Sequence, residues 1–264
     1  MAIDLLRRLE VNLDMRKMLR DETMPELNER RYLLTGATGG IGEAVARAIT
    51  AAGGQVVLLG RKVEALEALA DALEAVGGEP LIYPMDLSGA SVDDYDALAD
   101  TLNSELGGLD GVVFCSWSGG TLRPFAQLDP ERWARDTQVN LHAPALLLRS
   151  LWPMLGRSAQ ARVVFSLDKL AEVTAANWAH HSVLQWAQTG LMKTLAGEGR
   201  HLGVEVFGVY PGPRRTTLRA RLYGGELPTE VSEPGPAAAG YVQLLANQGH
   251  PPESGQILDL SDWH

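Results

Sequence analysis

From residue 31 onward, short apolar runs alternate with longer stretches whose apolar positions recur every three or four residues. The runs are RYLLTG (31–36), QVVLLG (55–60), PLIYP (80–84), GVVFC (111–115), ARVVFS (161–166), VEVFGVY (204–210) and QILDL (256–260). Helical patterns fill 40–52, 63–76, 92–106, 131–156, 176–201 and 235–247. A strand covered on both faces reads as a continuous β-branched run, and alternation with helices predicts a doubly wound parallel sheet of the α/β class. Glycine turns at 53–54, 77–78, 109–111 and 202–203 fall just before strands, where such a sheet needs them.

Two segments stand outside this rhythm. Residues 3–20 place Leu5, Leu9 and Leu13 on one face, with Leu6 and Met18 at its edge, which predicts a short amphipathic helix. The expected organisation is therefore a helical extension over 1–26 and a single domain over 27–264. Residues 211–234 are rich in proline, glycine and arginine. They form the one long irregular stretch, placed where a mobile segment would overhang a cleft at the carboxyl ends of the strands.

Composition narrows the partners. The 264 residues are 45% hydrophobic, enough for one sizeable core. The net charge is −10, with 33 acidic against 23 basic residues and no dense basic run, which argues against nucleic acid. Charges interrupt the apolar residues of the first 24 positions, so neither a secretory core nor a membrane span is expected there. The one cysteine, Cys115, excludes an intrachain disulfide. A soluble, cytoplasmic protein without membrane partners is the expectation.

The chemistry begins at TGATGGIG (35–42), between the first strand and the first helix. Gly36 permits a tight turn, Gly40 close approach of a pyrophosphate to the backbone, and Gly42 close helix–strand packing; Thr38 and Ile41 complete the loop. After the second strand, Gly60 stands where an NAD-preferring protein places an acid, and Arg61 follows with a cation suited to a 2′-phosphate. This favours NADP(H) over NAD(H). Asp86 and Leu87 follow the third strand, where the carboxylate either accepts from an adenine amino group or caps the next helix.

The glycine loop, GR (60–61), DL (86–87), LDGVVF (109–114), QVNLHAP (138–144), PGPRRT (211–216) and ESGQILDL (253–260) together resemble the short-chain dehydrogenase/reductases, from about Leu27 to Asp259. The resemblance implies a Rossmann-like, seven-stranded parallel sheet with helices on both faces, binding NAD(P)(H). It implies a homodimer or homotetramer through helices 131–156 and 176–201. It also implies that Pro211, Gly212 and Thr216 meet the nicotinamide, and that Asn, Ser, Tyr and Lys carry the chemistry.

Those four positions are unequally filled. Asn140 matches the asparagine, but the serine position falls on Asp168, the tyrosine on His181 and the lysine on Gln185. The fourth-strand Asn-Ala-Gly is replaced by Cys115-Ser116-Trp117. No tyrosine lies between Tyr95 and Tyr210, so no shift of register restores the site. Gln185 is neutral and has no charge with which to activate an acid. An aspartate beside a histidine fixes its tautomer and favours its proton-carrying form, so Asp168 and His181 could form a new acid–base pair, with Lys169 adding charge.

Three readings follow, in order of preference. The first is a catalytically silent NADP(H)-binding relative, a pseudoenzyme with a sensing, regulatory or assembly role. The second is an oxidoreductase rewired through Asp168 and His181. The third is a structural partner whose nucleotide cleft Trp117 blocks. Adjacent His180 and His181 point about 100° apart on a helix and cannot ligate one metal, so no metal is expected. Trp178 and Trp186 are expected to pack between helices, and Cys115 to be a small core residue.

Overall fold

The computed structural model describes residues 26–246 and 252–263, so the predicted helix over 3–20 lies outside the described residues. Seven strands form one parallel sheet: β1 (Arg31–Thr35), β2 (Gln55–Gly60), β3 (Leu81–Pro84), β4 (Gly111–Phe114), β5 (Ala161–Ser166), β6 (Val204–Tyr210) and β7 (Ile257–Asp259). Their order is β3-β2-β1-β4-β5-β6-β7, and every pairing is parallel. The order reverses between β1 and β4, which opens a crevice at the carboxyl ends of those two strands.

Alternation along each strand divides the core in two. Tyr32, Leu34, Val56 and Leu58 face one side, with α1 (Gly40–Ala51), α2 (Val63–Glu74) and α9 (Gly235–Ala246) packed over them. Leu33, Val57 and Leu59 face the other, under α3 (Val92–Leu106), α5 (Ala143–Leu155) and α7 (Ala179–Gly199). Both sheet faces are thus covered, as the uninterrupted apolar strands require. Leu27, near the start of the described residues, is fully buried and donates its N–H to the Ala52 carbonyl. Helix α3 is delimited by side-chain chemistry: Ser91 and Asp94 form a reciprocal capping box, and Gly107 ends the helix in a left-handed conformation, φ 70°.

The predicted helix over 131–156 is interrupted. It comprises α4 (Pro130–Thr137), a wide π turn (Gln138–His142) and α5. The turn frees the Asn140 carbonyl, which accepts from Gln188 Nε2 on α7 at 2.7 Å. The pattern over 176–201 also starts later than expected, at Ala179, after the four-residue helix α6 (Leu170–Val173). The irregular stretch contains a short helix of its own, α8 (Thr217–Leu222), whose start is capped by the Thr216 hydroxyl. Among the described residues, no helix is long and apolar enough to cross a membrane.

Candidate functional site: a glycine-loop cleft and an aspartate–histidine pair

The glycine loop lies across the crevice between β1 and β4. Gly36 has φ 67°, and a Cβ there would come within 2.6 Å of the Ser116 nitrogen. A Cβ on Gly42 would sit 2.2 Å from the Gly36 carbonyl oxygen, so this glycine is what lets α1 start so close to the turn. The space before Gly40 is occupied by the lid: a Cβ there would lie 2.7 Å from the Thr216 methyl. The ends of β1 and β4 are joined by a hydroxyl contact of 3.0 Å between Thr35 and Ser116.

A cleft of about 470 Å³ runs along this loop. Gly36, Thr38, Gly40 and Ile41 form its floor, Arg61 and Lys62 stand at one end, and Asp86 and Leu87 line its side. Trp117, Thr216 and Leu218 close the other end. Gly42 lies behind it as a packing residue. Burial disfavours the Asp86 charge. Two hydrogen bonds from Ser88, with the Arg61 and Arg135 charges, outweigh that and hold its carboxyl below the usual range. These bonds turn the chain back locally; Asp86 does not cap α3, whose N-cap is Ser91.

Past Trp117 the cleft leads to a smaller cavity of about 110 Å³, lined by Asp168, Trp178, Gln185, Pro211, Gly212, Arg219 and Tyr223 among others. Here the replaced positions come together. His181 Nε2 and Asp168 Oδ2 are 2.6 Å apart. Gln185 Oε1 accepts the Asp168 backbone N–H at 3.1 Å, so the residue in the lysine position fixes the residue in the serine position. His181 is only 5% exposed, pressed between Trp117 (ring centroids 4.5 Å) and the edge of Trp178 (5.4 Å). The Asp168 side chain keeps 44% of its surface accessible, so the carboxylate is the member of the pair that meets the cavity.

Asn140 stands apart from this cavity. Its side-chain oxygen accepts the Ser118 N–H at 2.8 Å and its amide donates to the Ser118 carbonyl at 2.7 Å, while Gln188 takes its backbone carbonyl. Its side-chain amide is spent holding the segment after β4 to the π turn, and its backbone carbonyl ties that turn to α7. The Lys169 ammonium pairs with Asp259 at 2.7 Å and lies 3.9 Å from Glu172. Ser166 ends β5 and links the Cys115 thiol (3.2 Å) to the Tyr241 hydroxyl (2.9 Å). Burial pushes the Cys115 thiol up to about 12, which leaves it a packing residue and no nucleophile.

Of the two tryptophans, Trp178 is buried against His181 and Tyr223, but Trp186 is 37% exposed and donates to the Thr174 hydroxyl. Trp186 therefore sits at the edge of the contact between α7 and the end of α6, partly exposed. Several lining residues have no strong sequence signature. Arg219 makes two 2.7 Å bonds to Glu226 and lies 4.2 Å from the Tyr223 ring centroid, bracing the lid. Arg214 is buried, clamping the Pro211 and Leu260 carbonyls at 2.7 and 2.6 Å. The arginine density of 214–221 was the signal available, but it did not separate braces from exposed residues. Among the described residues, no group of three or more His, Cys, Asp or Glu side chains is placed to hold a metal.

The chain matches the family described as short chain dehydrogenase over residues 30–226. It is 30% identical to the uncharacterized oxidoreductase YciK of Escherichia coli (strain K12), across 84% of this chain and 88% of that one. It is similar to a solved structure from Pseudomonas syringae, placed among the short chain dehydrogenases, with TM-score 0.86 and 34% identity over 91% of this chain and 98% of that one. Another from Escherichia coli CFT073, complexed with NADPH, has TM-score 0.85 and 30% identity over 90% and 99% of the two chains.

Proposed function

We propose, from the premise that this chain belongs to the short-chain dehydrogenase family, that it binds NADP(H) along its glycine loop without the family's tyrosine–lysine proton transfer. The observation that carries the reading is the open cleft of about 470 Å³ floored by Gly36, Thr38, Gly40 and Ile41, with two cations, Arg61 and Lys62, at the end where β2 finishes. No acidic side chain replaces Gly60 there to accept from a ribose 2′-hydroxyl. A similar structure complexed with NADPH supports the same choice of cofactor. In this reading the loop amides hold the pyrophosphate, Arg61 takes the 2′-phosphate, Asp86 and Leu87 flank the adenine, and Pro211, Gly212 and Thr216 hold the nicotinamide end. When bound, the cofactor supplies or accepts a hydride.

Trp117 leans on His181 and leaves the cleft open, which weighs against a blocked, purely structural protein. What is missing is the proton chemistry: Gln185 carries no charge, and the aromatic hydroxyl is replaced by a covered imidazole. A silent nucleotide-binding subunit with a sensing, regulatory or assembly role follows as the first reading. The 2.6 Å contact favours one alternative, an oxidoreductase whose proton is held by Asp168 with His181 behind it.

Calorimetry with NADPH and NADH tests the proposal. NADPH is expected to bind more tightly, and no heat with either would end it. Oxidation of NADPH against a panel of carbonyls separates the silent reading from the rewired enzyme. Turnover lost in both Asp168→Asn and His181→Ala supports the rewired enzyme, whereas no turnover in the unmutated chain supports the silent one. Val183 and Trp186 expose 49% and 37% of their surface one turn apart on α7. They support a homodimer or homotetramer through α7 and α5, and a monomer in light scattering at micromolar concentration would remove that proposal.

A further inference from the structure

The cavity beyond Trp117 carries a charge of the wrong sign for carbonyl reduction. Asp168 lines it with a side chain that keeps 44% of its surface accessible. Its Oδ2 is bonded to His181, and its Oδ1 has no hydrogen-bond partner among the described residues. The two cations of the same wall are engaged elsewhere, Arg219 with the Glu226 carboxylate and Arg214 with the Pro211 and Leu260 carbonyls. His181 does not line this cavity. Its ring borders a cavity of about 10 Å³ behind it, where Nδ1 is buried without a partner, as are Trp117 Nε1, Asp136 Oδ2 and His180 Nε2. A second proton on that ring would be buried without an acceptor, so its one proton lies on Nε2 toward Asp168 and the pair carries a net negative charge.

Hydride arriving at a carbonyl carbon puts negative charge on the oxygen, which needs a proton donor or a cation beside it. Asp168 offers the opposite, and Gln185 is neutral, with its Oε1 on the Asp168 N–H. Tyr223 is a weak substitute for the missing acid. Burial raises its pKa above the ordinary 10.0; the Arg219 charge opposes this, but Asp168, Glu172 and Glu226 add to the rise, so the phenol keeps its proton. A carbon–nitrogen double bond reverses these demands. It accepts hydride as a cation and ends neutral, so the transfer itself needs no proton. A carboxylate beside the nitrogen favours the protonated, reactive form. The Trp117 and Trp178 rings on the same wall suit a cation as well.

We propose that this cavity takes a small organic cation whose nitrogen meets Asp168 Oδ1, and that the reaction it serves is reduction of an iminium, a protonated carbon–nitrogen double bond. The iminium carbon accepts a hydride with its two electrons, and the C=N π pair withdraws onto nitrogen as a lone pair. The products are a neutral amine and, from the NADPH consumed, NADP⁺. The amine takes its next proton from solvent. Asp168 is the catalytic residue, in contact with the substrate nitrogen. His181 and Gln185 are positioning residues that fix its carboxylate and its backbone. This goes beyond the alternative above, in which the same carboxyl holds a proton for a carbonyl. Cation binding rests on Asp168 alone; reduction rests also on NADP(H) binding in the cleft.

Cation binding is tested on the full chain without nucleotide, by titrating pyrrolidinium against cyclopentanol, a neutral molecule of similar size, with tryptophan fluorescence and calorimetry as readouts. Pyrrolidinium is expected to bind about tenfold or more tightly than cyclopentanol, and Asp168→Asn to remove that preference. Equal binding of the two, or a preference that survives in the variant, overturns the proposal. Should Asp168→Asn fail to fold, Asp168→Ser removes the same charge and the same loss is expected. Reduction is tested by NADPH consumption with pyrroline, a cyclic imine, and with cyclopentanone. The imine is expected to react about tenfold faster or more. A ketone rate that equals or exceeds the imine rate, or no imine turnover in a chain that binds NADPH by calorimetry, overturns the reaction. Absence of heat with NADPH would instead overturn the cofactor reading, and the pyrrolidinium titration would still decide the cation site.

Discussion

The two halves of the sheet treat the same ligand-binding scaffold differently. In the half built on β1, β2 and β4, contacts are made by backbone and glycine: the 2.2 Å a Cβ at Gly42 would leave to the Gly36 oxygen cannot be met by any other residue. In the half built on β5, β6 and α7, side chains make the contacts, and three of the four expected residues differ. Yet the replacements bond to one another, Asp168 to His181 and Gln185 to the Asp168 backbone. A site made of backbone cannot drift without losing its shape. One made of side chains can exchange its chemistry while the strands and helix that present it stay in place.

The largest effect that would sharpen this contrast is expected at Gly42. Gly42→Ala forces the loop away from α1 and should cost about 3 kcal/mol in chemical denaturation, with NADPH binding lost as well. Gly89→Ala, where a Cβ meets nothing within 4 Å, should be close to neutral. Equal effects at the two positions would break the argument from backbone approach. On the other side, Asp168→Ala leaves the buried His181 ring without its partner and should cost about 1–3 kcal/mol, also read by denaturation. A loss below that range would mean that the pair is not a structural unit.

A smaller effect belongs to the cofactor end. Arg61→Ala removes one charge-assisted contact and should weaken NADPH by roughly tenfold or more while leaving NADH nearly unchanged, as read by calorimetry. Equal losses for the two nucleotides would remove the 2′-phosphate assignment. Lys62→Ala should act in the same direction, because Lys62 lines the same end of the cleft.

Much of this was legible in the sequence because parallel strands buried on both faces must be apolar throughout, and all seven runs became strands. The loop glycines were legible because their positions between a strand and a helix leave few other uses. The break in the 131–156 helix was not, since a π turn changes hydrogen bonding without changing the apolar period. The ion pair of Lys169 was hidden for a related reason. Its number puts it beside Asp168, but its partner, Asp259, is 90 residues away in the chain and adjacent only once β7 has paired with β6. The orphaned atoms around Asp136 were equally invisible, because adjacency of His180 and His181 says only that they diverge, not that a cavity joins them again.

That divergence yields the smallest and most specific expectation, a pH dependence. Burial lowers the His180 pKa below its ordinary 6.5; the Asp136 charge and a backbone bond at Trp133 only partly offset this, while the Arg132 and His181 charges add to the lowering. The unfolded chain therefore takes up this proton at a higher pH than the folded one. The associated stability is fully present above 6.5 and is lost as the pH falls through 6.5 toward and past the folded value. The lowered carboxyls, Asp86, Asp96 and Asp259 among them, act below their ordinary value of 3.8, so the two effects occupy different windows. Denaturation midpoints followed from pH 7.5 downward should fall first across the histidine window. His180→Gln should flatten that first fall and leave the lower one unchanged. An identical curve for the variant would mean that His180 is not held neutral by its surroundings, and the contrast between a partly buried histidine and a surface one would go with it.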